Sequence, residues 1–158
     1  MPDELYDQDV LVWSEQQAEL LRRLAAGERV NDAVDWANVI EEVEDVGQSQ
    51  LRSCRGLLRQ AMLHLLKLHA WPGNQSVGHR QDEVDAFLSA AGDHFTPSMK
   101  QHLDVAGLYA KALRSARRAN DQSGAACILP EACPFTPDVL LAGDVDGLLA
   151  DLAAATSD

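Results

Sequence analysis

The side chains most able to do chemistry in this sequence are the carboxylates of DWANVIEEVEDVG, the stretch from Asp35 to Gly47. When successive residues of a helix are turned by about 100°, Glu42 and Glu44 fall at the two edges of its apolar side. A carboxylate in that position can ligate a metal or anchor a hydrogen bond between helices. The alternative is a solvated acidic face that pairs with arginines further along the chain. These arginines are Arg52, Arg55 and Arg59.

A second polar residue, Gln17, falls inside the apolar stripe of the first helix, between Trp13 and Leu20. A buried amide without a partner costs about 1–3 kcal/mol, so we expect it to have one. One hypothesis is a structural contact that fixes how the helices align. The other is an inter-helix pocket that binds a small molecule or a metal. The residues of both hypotheses are Gln17, Glu42, Glu44 and His64.

The histidine spacing argues against a metal site in the core of a helical bundle. Such sites use a Glu three residues before a His, and no histidine of this chain has a Glu at that position. His79 and Glu83 stand four residues apart and could share a metal, but the sequence shows no third ligand beside them. We therefore predict no metal and no cofactor.

The charges are unevenly distributed along the chain, whose formal net charge is −12. Residues 1–50 hold 13 acidic and 3 basic residues, residues 51–118 hold 5 and 10, and residues 119–158 hold 7 and none. An acidic chain disfavours binding to nucleic acid or to anionic membranes, because phosphate affinity depends on clustered Lys and Arg. The basic middle could pair with its acidic flanks inside one fold.

The cysteines indicate a reducing compartment. Cys54, Cys127 and Cys133 are an odd number without the spacing of a disulfide framework. The sequence shows neither a signal peptide nor a run of 18 uncharged apolar residues, so we predict a cytoplasmic protein. Cys127 and Cys133 lie six residues apart, and a reversible disulfide between them stays open.

Helical periodicity recurs along almost the whole chain and must position these residues. We predict an all-α, single-domain bundle of five to six helices over residues 1–158, with a proline-rich irregular segment at about 120–145. One helix over 35–71 would be roughly 55 Å long, too long for such a domain, so we predict a break near 47–49. The predicted helices cover residues 6–24, 35–46, 50–71, 77–91, 96–119 and 146–155.

Local signals indicate the ends and the apolar sides of these helices. Asp7 or Asp9 can cap the first helix and Gly27 can end it, and the stretch Asp144-Val-Asp146-Gly147 suits a helix N-cap. We expect the apolar side of the second helix to face the core; its residues are Trp36, Val39, Ile40, Val43 and Val46. The sequence LLHLLKLH in the third helix is apolar nearly all round, so we expect it in the middle of a bundle.

A series of motifs runs from the first helix to the end of the chain. It consists of Tyr6, Asp9, Trp13 and Gln17, then Asp35-Trp36-x-Asn38 with Glu41, Glu42, Glu44 and Gly47, then HLLK at 64–67, and finally LPEACPFTPDVLL. In this order the sequence resembles the bacterial family catalogued as domain of unknown function 29. The resemblance implies a small helical cytoplasmic protein, and it implies no activity.

The sequence favours a non-enzymatic regulatory or interaction protein, because it contains no complete catalytic motif. We expect a protein partner or self-association, including a homodimer. The alternative is a small-molecule- or metal-binding bundle, or an enzyme, whose pocket holds Gln17, Glu42, Glu44 and His64. A pocket would need a cavity with convergent polar groups, whereas an interaction protein would expose apolar surface.

Overall fold

The structure is a computed structural model that describes residues 2–73, 76–123 and 128–157. In these residues seven α-helices occur, with 3-10 helices at Asn31–Ala33 and Pro97–His102. The α-helices are α1 (Pro2–Gln8), α2 (Val10–Ala25), α3 (Trp36–Ala70), α4 (Val77–His94), α5 (Val105–Ser123), α6 (Pro137–Ala142) and α7 (Val145–Thr156). The described residues contain no strand, and the predicted all-α fold is confirmed.

Contacts group the chain into two compact units. We call them the N-terminal unit, Met1–Ser49, and the C-terminal unit, Gln50–Asp158. The boundary falls inside α3, so this helix contributes residues to both units. The assignment of residues 1–158 to one domain stays a prediction.

The predicted break near residues 47–49 is wrong, because α3 continues from Trp36 to Ala70. At about 1.5 Å per residue, its 35 residues span about 52 Å. The prediction compared this length with the diameter of one compact domain, whereas the helix takes part in two units. A glycine costs a helix interior about 1 kcal/mol, which is too little to interrupt α3 at Gly47.

The N-terminal unit has a small core that contains two apolar and two polar residues. Its buried residues are Trp13, Gln17, Val34 and Asp35. Of the two predicted caps, Asp7 and Asp9, it is Asp9 that begins α2, since its Oδ1 accepts from the backbone N of Val12 at 3.1 Å. The single helix predicted for residues 6–24 is therefore wrong, because α1 ends at Gln8 and α2 begins at Val10. Beyond α2, Gly27 takes a φ of +90°, a conformation that favours glycine.

The large apolar core of the described residues lies in the C-terminal unit. Leu65 and Leu66 point to different sides of α3, and both are completely buried. This confirms that the leucine-rich half of the helix lies among other helices. The other fully buried large side chains include Val84 of α4, Tyr109 of α5, Leu140 of α6, and Leu148 and Leu152 of α7. No helix in the described ranges is long and apolar enough to span a membrane.

The helix predicted for residues 96–119 is divided. The 3-10 helix Pro97–His102 comes first, and α5 begins only after Asp104, whose Oδ1 accepts from the backbone N of Gly107 at 3.0 Å. A Cβ on Gly107 would lie 2.2 Å from Asp104 Oδ2, so a residue with a side chain at this position would force the capping carboxylate to shift. The same cap occurs within the stretch predicted as an N-cap, where Asp144 Oδ1 accepts from the backbone N of Gly147 at 3.1 Å.

The described parts of the stretch predicted to be irregular, residues 120–145, contain more helix than predicted. The end of α5 extends into it, and α6 occupies Pro137–Ala142. Tyr109 of α5 holds the segment in place: its hydroxyl donates to Pro130 O at 2.6 Å, and its ring packs edge-on against Phe135. Burial is the main cause that raises the pKa of Tyr109 to about 12, so the hydroxyl remains a donor.

Candidate functional site

The polar core of the N-terminal unit is organised around Asp35, the residue before α3. Its backbone N donates to Gln17 Oε1 at 2.9 Å. Its Oδ2 accepts from Trp13 Nε1 at 2.9 Å and from Asn38 Nδ2 at 2.7 Å. Gln17 therefore has the buried partner that its position predicts, but the partner is a backbone amide and not one of the side chains proposed from the sequence.

These hydrogen bonds keep the Asp35 carboxylate charged. The bond from Asn38 is the main cause that lowers the pKa of Asp35; burial opposes it, and the bond from Trp13 adds to it. A charged acceptor strengthens both bonds, and the carboxylate lies at the N-terminus of α3, where the helix dipole favours it. The cluster fixes the start of α3 against α2 and leaves Gln17 Oε1 committed to a structural contact.

The two edge glutamates of α3 lie in different environments. Glu42 is half-buried, and its Oε1 accepts from the Tyr6 hydroxyl of α1 at 2.6 Å. That hydrogen bond is the main cause that raises the pKa of Tyr6 to about 12. Glu44 is exposed. Glu42 is thus an anchor between helices, which is one of the two roles considered for these carboxylates.

His64 belongs to the C-terminal unit, where it faces Glu83 of α4. Its Nδ1 lies 3.2 Å from Glu83 Oε2, without hydrogen-bond geometry, and its ring packs against Phe87. Burial is the main cause that lowers the pKa of His64, while Glu83 acts to raise it. The pocket hypothesis combines His64 with residues of the N-terminal unit and stays a prediction.

The pair of His79 and Glu83 on α4 lies beside a third titratable side chain, His64, which spacing along one helix could not reveal. Glu83 Oε1 lies 3.4 Å from His79 Nε2, and its other oxygen faces His64 of α3. Glu83 is half-buried and not on a fully solvated face, because α3 covers one side of it. Even so, no three His, Cys, Asp or Glu side chains in the described part of the chain are arranged to hold a metal ion.

Four of the five residues on the apolar side of α3 in the N-terminal unit are exposed, which contradicts the expectation that this side lies in the core; the fifth, Val39, is half-buried. Trp36, Ile40, Val43 and Val46 are 45, 53, 70 and 67% exposed. We call these four residues the apolar stripe. The Trp36 indole Nε1 donates to Asn31 O at 3.0 Å, so the ring is held in one orientation while its surface faces outward.

A groove in the C-terminal unit gathers cations from α3 and α5. Two adjoining cavities, of about 230 and 220 Å³, share Arg55, Leu108 and Lys111 as lining residues. Arg52 and Arg59 complete the basic lining, and Gly56 lies between the arginines on α3. We call this feature the basic groove. The sequence showed an excess of basic residues here, but not that two helices bring them together.

The fold and these surfaces define a small all-α protein. The family model described as domain of unknown function DUF29 matches residues 5–145, and the chain belongs to this family, as its motifs indicate. The chain is similar to an alpha-helical protein of unknown function from Rhodospirillum rubrum whose crystal structure was solved at 1.45 Å resolution. The identity is 29%, the match covers 93% of this chain and 96% of the other, and the TM-score is 0.72. No curated protein matches the sequence.

Proposed function

We propose that this protein is a non-enzymatic interaction module that binds a basic amphipathic helix of a protein partner through the apolar stripe. The observation that carries the proposal is the exposure of four large apolar side chains on one face of one helix. Scattered exposed apolar side chains are ordinary, whereas a continuous apolar surface marks an interaction site.

The spacing of the stripe suits a helical partner. Its residues occupy positions 36, 40, 43 and 46, so they follow one another in steps of three and four. At about 1.5 Å per residue the stripe is about 15 Å long, or roughly three helical turns. A helix with the same apolar repeat can pack its side chains between those of the stripe.

Trp36 is the expected anchor of this interface. Its hydrogen bond to Asn31 O fixes the indole before any partner arrives, which reduces the entropy lost on binding. Tryptophan is also among the residues that contribute most to binding energy in protein interfaces. The structure therefore offers an aromatic side chain that is both exposed and oriented.

The charge of the N-terminal unit favours a basic partner over a second copy of the same surface. The unit carries 13 acidic and 3 basic residues, a net charge of −10, and Glu44 is exposed beside the stripe. Two copies joined through their stripes would bring these charges together, whereas lysines and arginines beside an apolar repeat would complement them.

The proposal is tested by titrating the full chain with two synthetic helical peptides in a calorimeter. Both peptides carry leucines at heptad positions a and d; one has lysines at e and g, and the other has glutamates. We expect saturable binding of the lysine peptide, weakened by salt, and no binding of the glutamate peptide. Val43→Asp, which places a charge in the stripe, should weaken binding by about tenfold or more.

Leu11→Asp is the matched control, because Leu11 is similarly exposed on α2 and the change adds the same charge to the same unit. It should bind the lysine peptide nearly as the natural chain does. Equal binding of both peptides would contradict the charge argument. A dimer in sedimentation that Val43→Asp dissociates would show that a second copy occupies the stripe, and the basic-partner proposal would be wrong.

We also propose a cytoplasmic location. The two cysteines in the described residues are free: Cys54 Sγ donates to Ala91 O at 3.7 Å, and Cys133 Sγ donates to Phe135 O at 3.5 Å. Cys127 lies outside the described residues, so the structure does not test a disulfide between it and Cys133. Thiol titration of denatured protein from cells lysed under alkylating conditions tests both points, and a mostly oxidised Cys127–Cys133 pair would contradict the location.

A further inference from the structure

We propose that the basic groove of the C-terminal unit binds a small organic phosphate, with the phosphate held by Arg55, Arg59 and Lys111. The inference does not depend on the interaction proposed for the N-terminal unit. It rests on cations of two helices that line one pair of adjoining cavities.

The side chains of the groove come from one face of each helix. Arg52, Arg55 and Arg59 follow one another at steps of three and four on α3, and Lys111 lies one turn after Leu108 on α5. Residues at such steps share a helix face. The groove therefore presents cations on both of its walls, and phosphate oxygens could contact α3 and α5 together.

Arg55 is already oriented for a ligand. One of its terminal nitrogens, Nη2, donates to His102 O at 2.6 Å, and the side chain is half-buried. A guanidinium has five N–H donors in a fixed plane, so one bond to a carbonyl fixes the plane and leaves donors for an anion. Arg59 and Lys111 are exposed at the groove and are able to move toward a bound group.

The charge balance favours a dianion. The three cations assigned to the phosphate, Arg55, Arg59 and Lys111, face one carboxylate among the lining residues of the two cavities, that of Asp104. A phosphate monoester carries a charge of about −1.5 to −2 at neutral pH and has three strong acceptor oxygens, enough to contact several cations at once. A carboxylate offers one charge and two oxygens, so it leaves most of these donors unmatched.

The remaining lining suits the organic part of such a ligand. Leu108 is buried beneath the groove, and Gly56 has no side chain to fill it. A Cβ built on Gly56 meets nothing within 4 Å, so packing does not require glycine at this helical position. Because alanine would favour the helix, the missing side chain instead keeps space open between Arg55 and Arg59.

The experiment is a calorimetric titration of the full chain at low ionic strength with inorganic phosphate, glycerol 3-phosphate and citrate. We expect saturable binding at one site per chain, tighter for the ester than for inorganic phosphate, and weaker for citrate. Arg59→Gln and Lys111→Gln should each weaken ester binding by about tenfold, the effect of losing one charged hydrogen-bond partner. Gly56→Ala should weaken it without any change in charge.

Two further variants separate a site from a general effect of charge. Arg118→Gln removes an exposed cation of α5 that does not line the cavities, and it should leave ester binding unchanged. Asp104→Asn keeps a residue that caps helices well but removes the negative charge, so it should tighten ester binding. The melting temperature of each variant checks that the fold is intact.

Three results would overturn the proposal. The first is the absence of saturable binding to the ester at millimolar concentration. The second is an equal loss of affinity in Arg118→Gln and Arg59→Gln, which would indicate nonspecific attraction. The third is equal binding of inorganic phosphate and the ester, which would show that the groove recognises the phosphate ion and not an organic phosphate.

Discussion

The two units of this chain are stabilised by different interactions. The N-terminal unit has a net charge of −10 and a small core in which the amide of Gln17 and the carboxylate of Asp35 lie beside Trp13. The C-terminal unit holds the other 12 acidic and 10 basic residues, a net charge of −2, around a large apolar cluster. One unit therefore depends strongly on hydrogen bonds, and the other on buried apolar area.

The difference explains which unit exposes apolar surface. In the C-terminal unit nearly every large apolar side chain of the helices has neighbours to pack against. In the N-terminal unit, α1 contacts Glu42 of α3 and α2 contacts Asp35 just before α3, but the apolar stripe stays uncovered. Exposed apolar area favours association over isolation, so the N-terminal unit is the better candidate for protein interaction.

The largest expected effect comes from the apolar core of the C-terminal unit. Leu58→Ala removes a side chain with no exposed surface and should lower the free energy of unfolding by about 2–5 kcal/mol. Leu11→Ala, at an exposed position of the N-terminal unit, should change it by no more than about 0.5 kcal/mol. Urea denaturation followed by circular dichroism measures both. Similar losses in the two variants would contradict the contrast between the units.

A smaller effect is expected from the polar core of the N-terminal unit. Gln17→Leu leaves the backbone N–H of Asp35 buried without an acceptor and should cost about 1–3 kcal/mol. Gln16→Leu is the control, since Gln16 is exposed on the same helix. Thermal unfolding followed by tryptophan fluorescence measures the difference. If Gln17→Leu melts at the same temperature as the natural chain or higher, the hydrogen-bonded cluster does not stabilise this unit.

Two glycines of the N-terminal unit should respond in opposite directions. Gly27→Ala forces an L side chain into a φ of +90° and should cost about 1–2 kcal/mol. Gly47→Ala places a methyl group in open space inside α3 and should add about 0.5–1 kcal/mol. Chemical denaturation of both variants measures these changes. A loss of stability in Gly47→Ala would mean that the middle of α3 needs flexibility at this residue.

The pH dependence of the free energy of unfolding should differ between the two units. In the C-terminal unit we expect a small and gradual change that begins near neutral pH. Burial lowers the pKa of His64 and of His69, so below about pH 6.5 the unfolded chain binds more protons at these residues than the folded chain does. The stability of the C-terminal unit therefore falls as the pH falls from about 6.5 toward the folded pKa values. His64→Gln should reduce this slope, and His102→Gln, at an exposed position, serves as its control.

The contribution of Asp35 to the stability of the N-terminal unit changes at a more acidic pH. Its pKa is lowered in the folded protein, so its contribution is fully present above the unfolded value near 3.8 and is lost as the pH falls through the folded value. Melting temperatures measured from pH 7 to pH 3 should reveal the two ranges separately. Stability that rises on acidification from pH 6.5 to 5 would contradict the lowered pKa of His64.

Several features could be predicted because they depend on neighbours in the sequence. The helical class, the cap at Asp9, the glycine after α2 and the cap at Asp144 all involve residues within a few positions of one another. The need of Gln17 for a buried partner also followed from its place between apolar residues. The identity of that partner could not be predicted. It is a backbone N–H 18 positions away, and a pattern of side chains does not indicate which backbone groups will be buried.

The predictions that failed concern the length of α3 and the surroundings of its first half. Periodicity identified the apolar side at Trp36, Ile40 and Val43 but assumed that such a side faces a core. Likewise His79 and Glu83 could be paired by spacing, whereas His64 comes from another helix. In each case the missing information is which distant segment packs against the residue.

By itself, the sequence determined that this chain folds into helices, where some of them begin or end, and which sides are apolar, because backbone hydrogen bonds and caps act over a few residues. Only the tertiary structure decided that α3 continues through Gly47, that one apolar side stays exposed, and that cations of α3 and α5 line one groove. These outcomes depend on how much surface distant segments cover. How much surface is covered depends on the folded chain as a whole, so it cannot be predicted from a local pattern of residues.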